Sequence, residues 1–217
     1  MEFPLTIASK VYIDTIKKGL DHISNKIWES FHNIPYNIYI KKGKPTLIFL
    51  VSHDFNKILN KISEKHLIEH IGIYFGFIFK GEFYLSLEGA EFIYYDLKKY
   101  LINKSKSVNL EDSDIFWKVL GLKRLIVSES ASKSFMYGNN LKMEDIIKMI
   151  PEKLTFNRKD VVFILDSDMN FLGIGLIFKK ISDKKKAEGS KSQIESKDAQ
   201  IFIQNLVDYG YYIRRGF

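Results

Sequence analysis

Part-way along this sequence the hydrophobic period changes, and that change limits what the chain can fold into. Up to about residue 102, apolar residues recur at three- and four-residue spacing between short extended runs. After Trp117 they fall mostly into short runs bounded by Asp, Asn and Gly. A helical period buries one stripe of a helix, whereas a short apolar run between turn residues marks a strand. The two textures predict two folding units, residues 1–121 and 122–217, with the boundary between Leu120 and Arg124.

In the first unit, Ile16, Leu20, Ile23 and Ile27 share one face of a helix expected over Ser9–Phe31, which Pro35 prevents from continuing. Asn37–Ile40 and Thr46–Val51 read as a hairpin around Lys41-Lys42-Gly43-Lys44-Pro45. Ser52 is placed to cap a second helix whose inner face is Phe55, Ile58, Leu59 and Ile62. Ile71–Phe79 and Phe83–Leu87 form another hairpin pattern around Lys80-Gly81-Glu82, followed by a helix over Gly89–Ile102. This order describes an antiparallel sheet with helices packed on it, an α+β domain.

In the second unit, Leu125–Val127, Val161–Leu165, Phe171–Phe178, Ile201–Gln204 and Tyr211–Arg214 read as short strands. Helical pieces are expected at Ala131–Tyr137 and Glu144–Ile150, the latter stopped by Pro151. Many short strands with two small helices predict a small β-barrel. The polar stretches Asn103–Asp114 and Ser182–Gln200 read as surface loops, the second as a mobile one.

Composition excludes several classes of function. The 217 residues contain no cysteine, so disulfides, thiolate metal sites and a cysteine nucleophile are ruled out. Ile71–Phe79, the longest apolar run, is far short of the roughly twenty residues of a membrane span. Met1–Ser9 lacks a basic region ahead of an apolar one, so no signal peptide is expected. The formal net charge of +7 favours polyanionic partners through long-range attraction and counterion release. Divided at Arg124, the first part holds 17 basic and 14 acidic residues and the second 16 and 12, so charge alone does not choose between the halves.

Tests for catalytic chemistry fail one after another. His66 and His70 have zinc-helix spacing, but Leu67 stands where a catalytic Glu belongs and a third ligand is missing. Asp166-Ser167-Asp168-Met169-Asn170 opens like a calcium loop, yet Phe171 replaces the essential Gly and Ile177 the bidentate Glu, so a tight turn is expected. Gly173-Ile174-Gly175 lies inside a strand, where glycines allow a bulge or a close backbone approach, not a dinucleotide fingerprint. The reading is a non-enzyme with no cofactor and no metal.

One basic cluster remains. Lys179 and Lys180 end the Phe171–Phe178 strand, Lys184, Lys185 and Lys186 follow, and Arg214 and Arg215 close the chain's final run beside Tyr211 and Tyr212. If these strands are neighbours, the charges converge on one face with aromatics at hand to stack on bases.

Ser134-Phe135-Met136-Tyr137-Gly138-Asn139-Asn140 resembles the S-F-L-Y-G-N-H stretch that opens the PUA domain of the Nip-seven family of large-subunit ribosome biogenesis proteins. Leu172-Gly173-Ile174-Gly175 is similar to that family's L-G-F-G, and Tyr211–Gly216 to its closing Y-V-R segment. In the first half, Gly72–Gly76 and Phe83-Tyr84-Leu85 resemble its G-x-x-F-G and F-R-L segments. Asn140 stands in place of the His, and Tyr84 in place of the basic residue of F-R-L.

The resemblance implies an N-terminal α+β domain followed by a PUA-type small β-barrel. It implies an RNA-binding role in large-subunit assembly and pre-rRNA processing, with pre-rRNA and other assembly factors as partners. RNA would lie against the first small helix and the glycine turn after it, through Lys133, Tyr137, Gly138 and Asn139. The adjoining strand ends would add Lys179, Lys180, Lys184, Arg214 and Arg215. A monomer is expected, cytoplasmic in an archaeal host and nucleolar in a eukaryotic one. The rival readings are an RNA-modification enzyme or its accessory subunit carrying a PUA domain, and a protein-interaction adaptor.

Overall fold

In a computed structural model the described residues are 5–31, 34–55, 71–97, 99–100, 117, 119–152, 155–178 and 201–210. The chain divides into two compact units, Met1–Gly121 and Leu122–Phe217.

The first unit is a five-stranded antiparallel sheet in the order β1-β2-β3-β4-β5. Its strands are β1 (Leu5–Ile7), β2 (Tyr36–Lys41), β3 (Thr46–Ser52), β4 (Ile73–Phe79) and β5 (Glu82–Leu85). Helices α1 (Lys10–Asp21) and α2 (Asn25–Phe31) precede β2. Helix α3 (Leu87–Phe92) follows β5 and widens into a π-helical turn at Ile93–Leu97. Ile16, Leu20, Ile27, Phe31, Phe92, Ile93 and Leu97 from the helices are buried, as are Ile40, Ile48 and Leu50 from the sheet. Full burial of such a side chain stabilises by about 1.5–3 kcal/mol.

Where one helix was expected over Ser9–Phe31, there are two. The N–H groups of Ile23 and Ser24 both donate to the Leu20 carbonyl, closing α1. The Ser24 hydroxyl then accepts from the Lys26 N–H at 3.3 Å and starts α2. Strand β1, which the sequence reading left unassigned, pairs with β2 at Leu5↔Lys41 and Ile7↔Tyr39. Of the helix expected after Ser52, only a short 3-10 turn at His53–Phe55 is among the described residues.

Tyr36 sets a test of this unit at high pH. Its hydroxyl lies 3.4 Å from that of Tyr100. Burial, then that hydrogen bond, and the charges of Tyr100 and Asp96 push its pKa up to about 12. Above about pH 10 an unfolded tyrosine loses its proton while the folded one keeps it, which favours unfolding. Tyr36 therefore supports the fold fully below about pH 10, and that support is lost as pH rises through about 12. Urea titrations at stepped pH should show a steeper loss over this window for the wild type than for Tyr36→Phe. Parallel profiles would show that the hydroxyl contributes nothing.

The second unit is a curled six-stranded sheet, half of a barrel, in the order β7-β11-β10-β9-β6-β8. Its strands are β6 (Arg124–Val127), β7 (Leu141–Lys142), β8 (Ile146–Ile150), β9 (Val161–Leu165), β10 (Phe171–Ile177) and β11 (Ile201–Asp208), with helix α4 (Glu129–Met136) after β6. The β6–β9 ladder is parallel. The other four ladders are antiparallel, and each carries a register shift. Bulges raise local twist, which curls the sheet around its core. That core gathers Leu125, Val127, Ala131, Phe135, Leu141, Phe156, Val162, Ile164, Leu172, Ile177, Phe202 and Ile203.

The helix expected over Glu144–Ile150 is not formed. Met143–Asp145 make a 3-10 turn and Ile146–Ile150 a strand that pairs with β6. Three isoleucines in five residues suit a pleated surface, and pairing with β6 satisfies their backbone. At Asp166–Asn170 the expected turn is present. The Asp166 carboxylate accepts from the N–H groups of Asp168 and Asn170 and from the Asn170 side chain, so its oxygens are spent within the turn. The expected strand at Tyr211–Arg214 and the loop at Ser182–Gln200 lie outside the described residues, as do His66 and His70. No group of three or more His, Asp and Glu side chains suited to a metal ion occurs among the described residues. No helix among them is long and apolar enough to cross a membrane.

Candidate nucleic-acid interface

Helix α4 is fixed at both ends by its own sequence. At its start the Ser128 hydroxyl accepts from the Ala131 N–H at 3.3 Å, and Glu129 stands in the first turn, where the helix dipole favours a negative charge. At its end Gly138 takes φ 87°, a conformation that costs a glycine little. This lets the Gly138 N–H donate to the Phe135 carbonyl at 2.8 Å and the Asn139 N–H to the Ser134 carbonyl at 3.2 Å, a Schellman closure.

The next residues lock that closure to the sheet. The Asn139 side chain donates to the Ser134 hydroxyl at 3.2 Å. The Asn140 side-chain oxygen accepts from the Asn205 backbone N–H at 2.9 Å, extending the β7–β11 ladder beyond its last strand pair. The Asn205 side chain returns a bond to the Phe135 carbonyl at 2.7 Å. A helix terminus with its orphan carbonyls met in this way is a rigid platform.

Most of Ser134–Asn140 is thereby accounted for structurally. Tyr137 is the exception. Its side chain is 75% exposed and makes no hydrogen bond or ring contact among the described residues. An aromatic ring held in water on a rigid turn suits stacking against a nucleobase.

Lys133, one turn back, is exposed but not free, since its ammonium lies 2.7 Å from Glu129. The hydrogen bond and charge of Lys133 hold the Glu129 carboxyl below its ordinary value, and Glu129 in turn raises Lys133. A phosphate approaching Lys133 must compete with that carboxylate. Glu129→Gln should therefore tighten RNA binding about twofold and steepen its salt dependence, read by fluorescence anisotropy across a salt series. Unchanged affinity would show that Lys133 takes no part.

Lys133, Tyr137, Gly138 and Asn139 are thus brought together on one helix end. Lys179, Lys180, Lys184, Arg214 and Arg215 lie outside the described residues. The described chain stops at Phe178, whose N–H donates to the Phe202 carbonyl near the start of β11, and again at Gly210, past its other end. Sequence reasoning missed Asn205, because its partners Phe135 and Asn140 are 70 and 65 residues away. It also missed the Glu129–Lys133 pair, although the i,i+4 spacing was there to be read.

Residues 123–217 match the protein family described as UPF0113 PUA domain. Among solved structures, a conserved PUA domain protein from Thermoplasma acidophilum is 13% identical, aligns over 98% of this chain and 99% of its own, and has a TM-score of 0.50. A PUA domain from Aeropyrum pernix K1 is 14% identical over 97% of this chain and 90% of its own, with a TM-score of 0.45. A hypothetical protein from Pyrococcus horikoshii OT3 is 14% identical over 81% and 82%, with a TM-score of 0.43. No curated protein sequence matches the chain. At these identities the Thermoplasma likeness bears on the fold alone. The fold is α+β, and its second half contains a PUA domain, a module that binds RNA.

Proposed function

We propose that this chain is a non-catalytic RNA-binding factor that acts in large-ribosomal-subunit biogenesis, on pre-rRNA and alongside other assembly factors. The observation that carries the RNA-binding part is the PUA domain with Tyr137 exposed on the locked end of α4. The ribosomal part rests on the resemblance of Ser134–Asn140 and the segments after it to the Nip-seven family. The same reading makes the protein a monomer, cytoplasmic in an archaeal host and nucleolar in a eukaryotic one.

Tyr137→Ala should weaken binding to single-stranded RNA roughly fivefold to a hundredfold, the range of one lost base–aromatic stack. Lys179→Ala with Lys180→Ala should weaken it about equally across sequences and flatten the log–log salt slope by about 1.4. Wild-type affinity in both variants would remove RNA from this surface. Crosslinking in cells and sequencing of the bound RNA tests the ribosomal part. Recovery of pre-rRNA supports it, and recovery of other RNA classes alone refutes it.

A further inference from the structure

The register of the first unit lines up residues that the sequence keeps far apart. Leu5 pairs with Lys41, Lys41 with Leu47, Leu47 with Phe77, and Phe77 with Tyr84. Directly paired residues share a face, so these side chains form one row across all five strands. Lys41 and Tyr84 are three strand spacings apart, about 14 Å. The Phe77 and Tyr84 rings lie stacked, 5.1 Å between centroids with an interplanar angle of 13°. Tyr84 sits on edge strand β5 and is 42% exposed, and Phe79, toward the β4–β5 turn, is 43% exposed.

Lysines frame this row. The pairing Thr46↔Ile78 sets the β2–β3 turn, with Lys42 and Lys44, beside the β4–β5 turn, with Lys80. None of Lys41, Lys42, Lys44 and Lys80 is ion-paired among the described residues, and the Lys80 ammonium stands 5.4 Å from the centre of the Phe79 ring. The Glu82 carboxylate also stands here and accepts from the Tyr84 hydroxyl at 2.9 Å. Unpaired lysines around exposed aromatics on adjacent strands combine a phosphate track with stacking faces.

We infer that this end of the N-terminal sheet is a second RNA-binding surface, which stacks bases of a single strand on Tyr84 and Phe79 and holds its phosphates with Lys41, Lys42, Lys44 and Lys80. An acidic protein would use the lysines but not the aromatic faces. The inference rests on the reading of the chain as an RNA-binding factor, and it adds a site outside the PUA domain. In the resemblance to the Nip-seven family, Tyr84 stands where that family has a basic residue, so the stacking role belongs to this chain's own sequence.

The test uses full-length protein and fluorescein-labelled eight-nucleotide oligouridine, with 4-thiouridine versions for crosslinking and mass-spectrometric mapping. Tyr84→Ala and Lys42→Gln with Lys44→Gln are compared with Tyr137→Ala, alone and combined. These side chains are exposed, and melting curves check the fold. Crosslinks are expected on the β4–β5 hairpin as well as on the α4 turn. Tyr84→Ala in the Tyr137→Ala background should lower affinity about tenfold, while Tyr84→Phe, which keeps the ring, should bind as the parent does. The lysine pair should flatten the salt slope by about 1.4. Crosslinks on the α4 turn alone, with Tyr84→Ala silent, overturn the inference and leave the PUA reading standing. Crosslinks on the hairpin alone support it and remove the RNA from α4. Displacement by polyglutamate as effective as by unlabelled RNA, with Tyr84→Ala silent, identifies an acidic protein as the partner and also overturns it.

Discussion

Gly173→Val is expected to unfold the second unit at physiological temperature. Gly173 stands in β10 at φ 156°, which L side chains rarely adopt. A Cβ there would collide with the Val207 carbonyl oxygen, meet the Asp208 Cα at 2.8 Å and touch the Phe135 ring at 3.1 Å. Backbone strain and overpacking each cost about 1–3 kcal/mol, and the sum approaches the whole stability of many domains, about 5–15 kcal/mol. The loss can be located. Both tryptophans, Trp28 and Trp117, belong to the first unit, so tryptophan fluorescence reports that unit while far-UV circular dichroism reports both. Urea titration should show early loss of dichroism with little early change in fluorescence. A variant as stable as wild type would mean that the β10–β11 approach is looser than described.

Phe135→Ala should cost about 3–5 kcal/mol, the range for emptying a fully buried aromatic site. Phe135 is 0% exposed and belongs to the core that joins α4 to the sheet. Its ring also touches the space above Gly173, so the two substitutions are not independent. Removing the ring relieves only one of the obstacles to a side chain at 173, and the Val207 carbonyl remains. The double variant Phe135→Ala, Gly173→Ala should therefore recover little. Full recovery in chemical denaturation would show that the ring, not the backbone, is what excludes a side chain there.

Local signals were read well from the sequence. Val161–Leu165 is a strand with the bounds expected, because an apolar run lies between Asp160 and the Asp166 turn. Gly173 and Gly175 were expected to mark a bulge or a close approach, and the β10 ladders shift register at both. Ile146–Ile150 misled because a short apolar run fits a helix or a strand, and only the partner strand β6 decides. A three-residue strand such as β1 has no period of its own and exists through its pairing with β2. The candidate site divides in the same way. Tyr137 and Gly138 are contiguous with a recognisable stretch, whereas the Asn140–Asn205 bond and the row from Lys41 to Tyr84 depend on register that no local pattern carries.

The strand order of the second unit also governs when it can assemble. Strand β6 comes first along the chain but lies between β8 and β9, in a parallel pair with β9 that no tight turn can form. Strand β11 joins β10 to β7, so Leu141 must wait for Ile203. Contacts of such separation slow folding, because loop-closure entropy is spent before pairing rewards it. During synthesis, β10 therefore keeps an open edge until β11 leaves the ribosome, and the turn that holds Tyr137 gains its asparagine clamp only then. A nascent chain arrested before residue 201 would carry α4 and its glycine turn but lack the Asn205 bonds that lock them to the sheet.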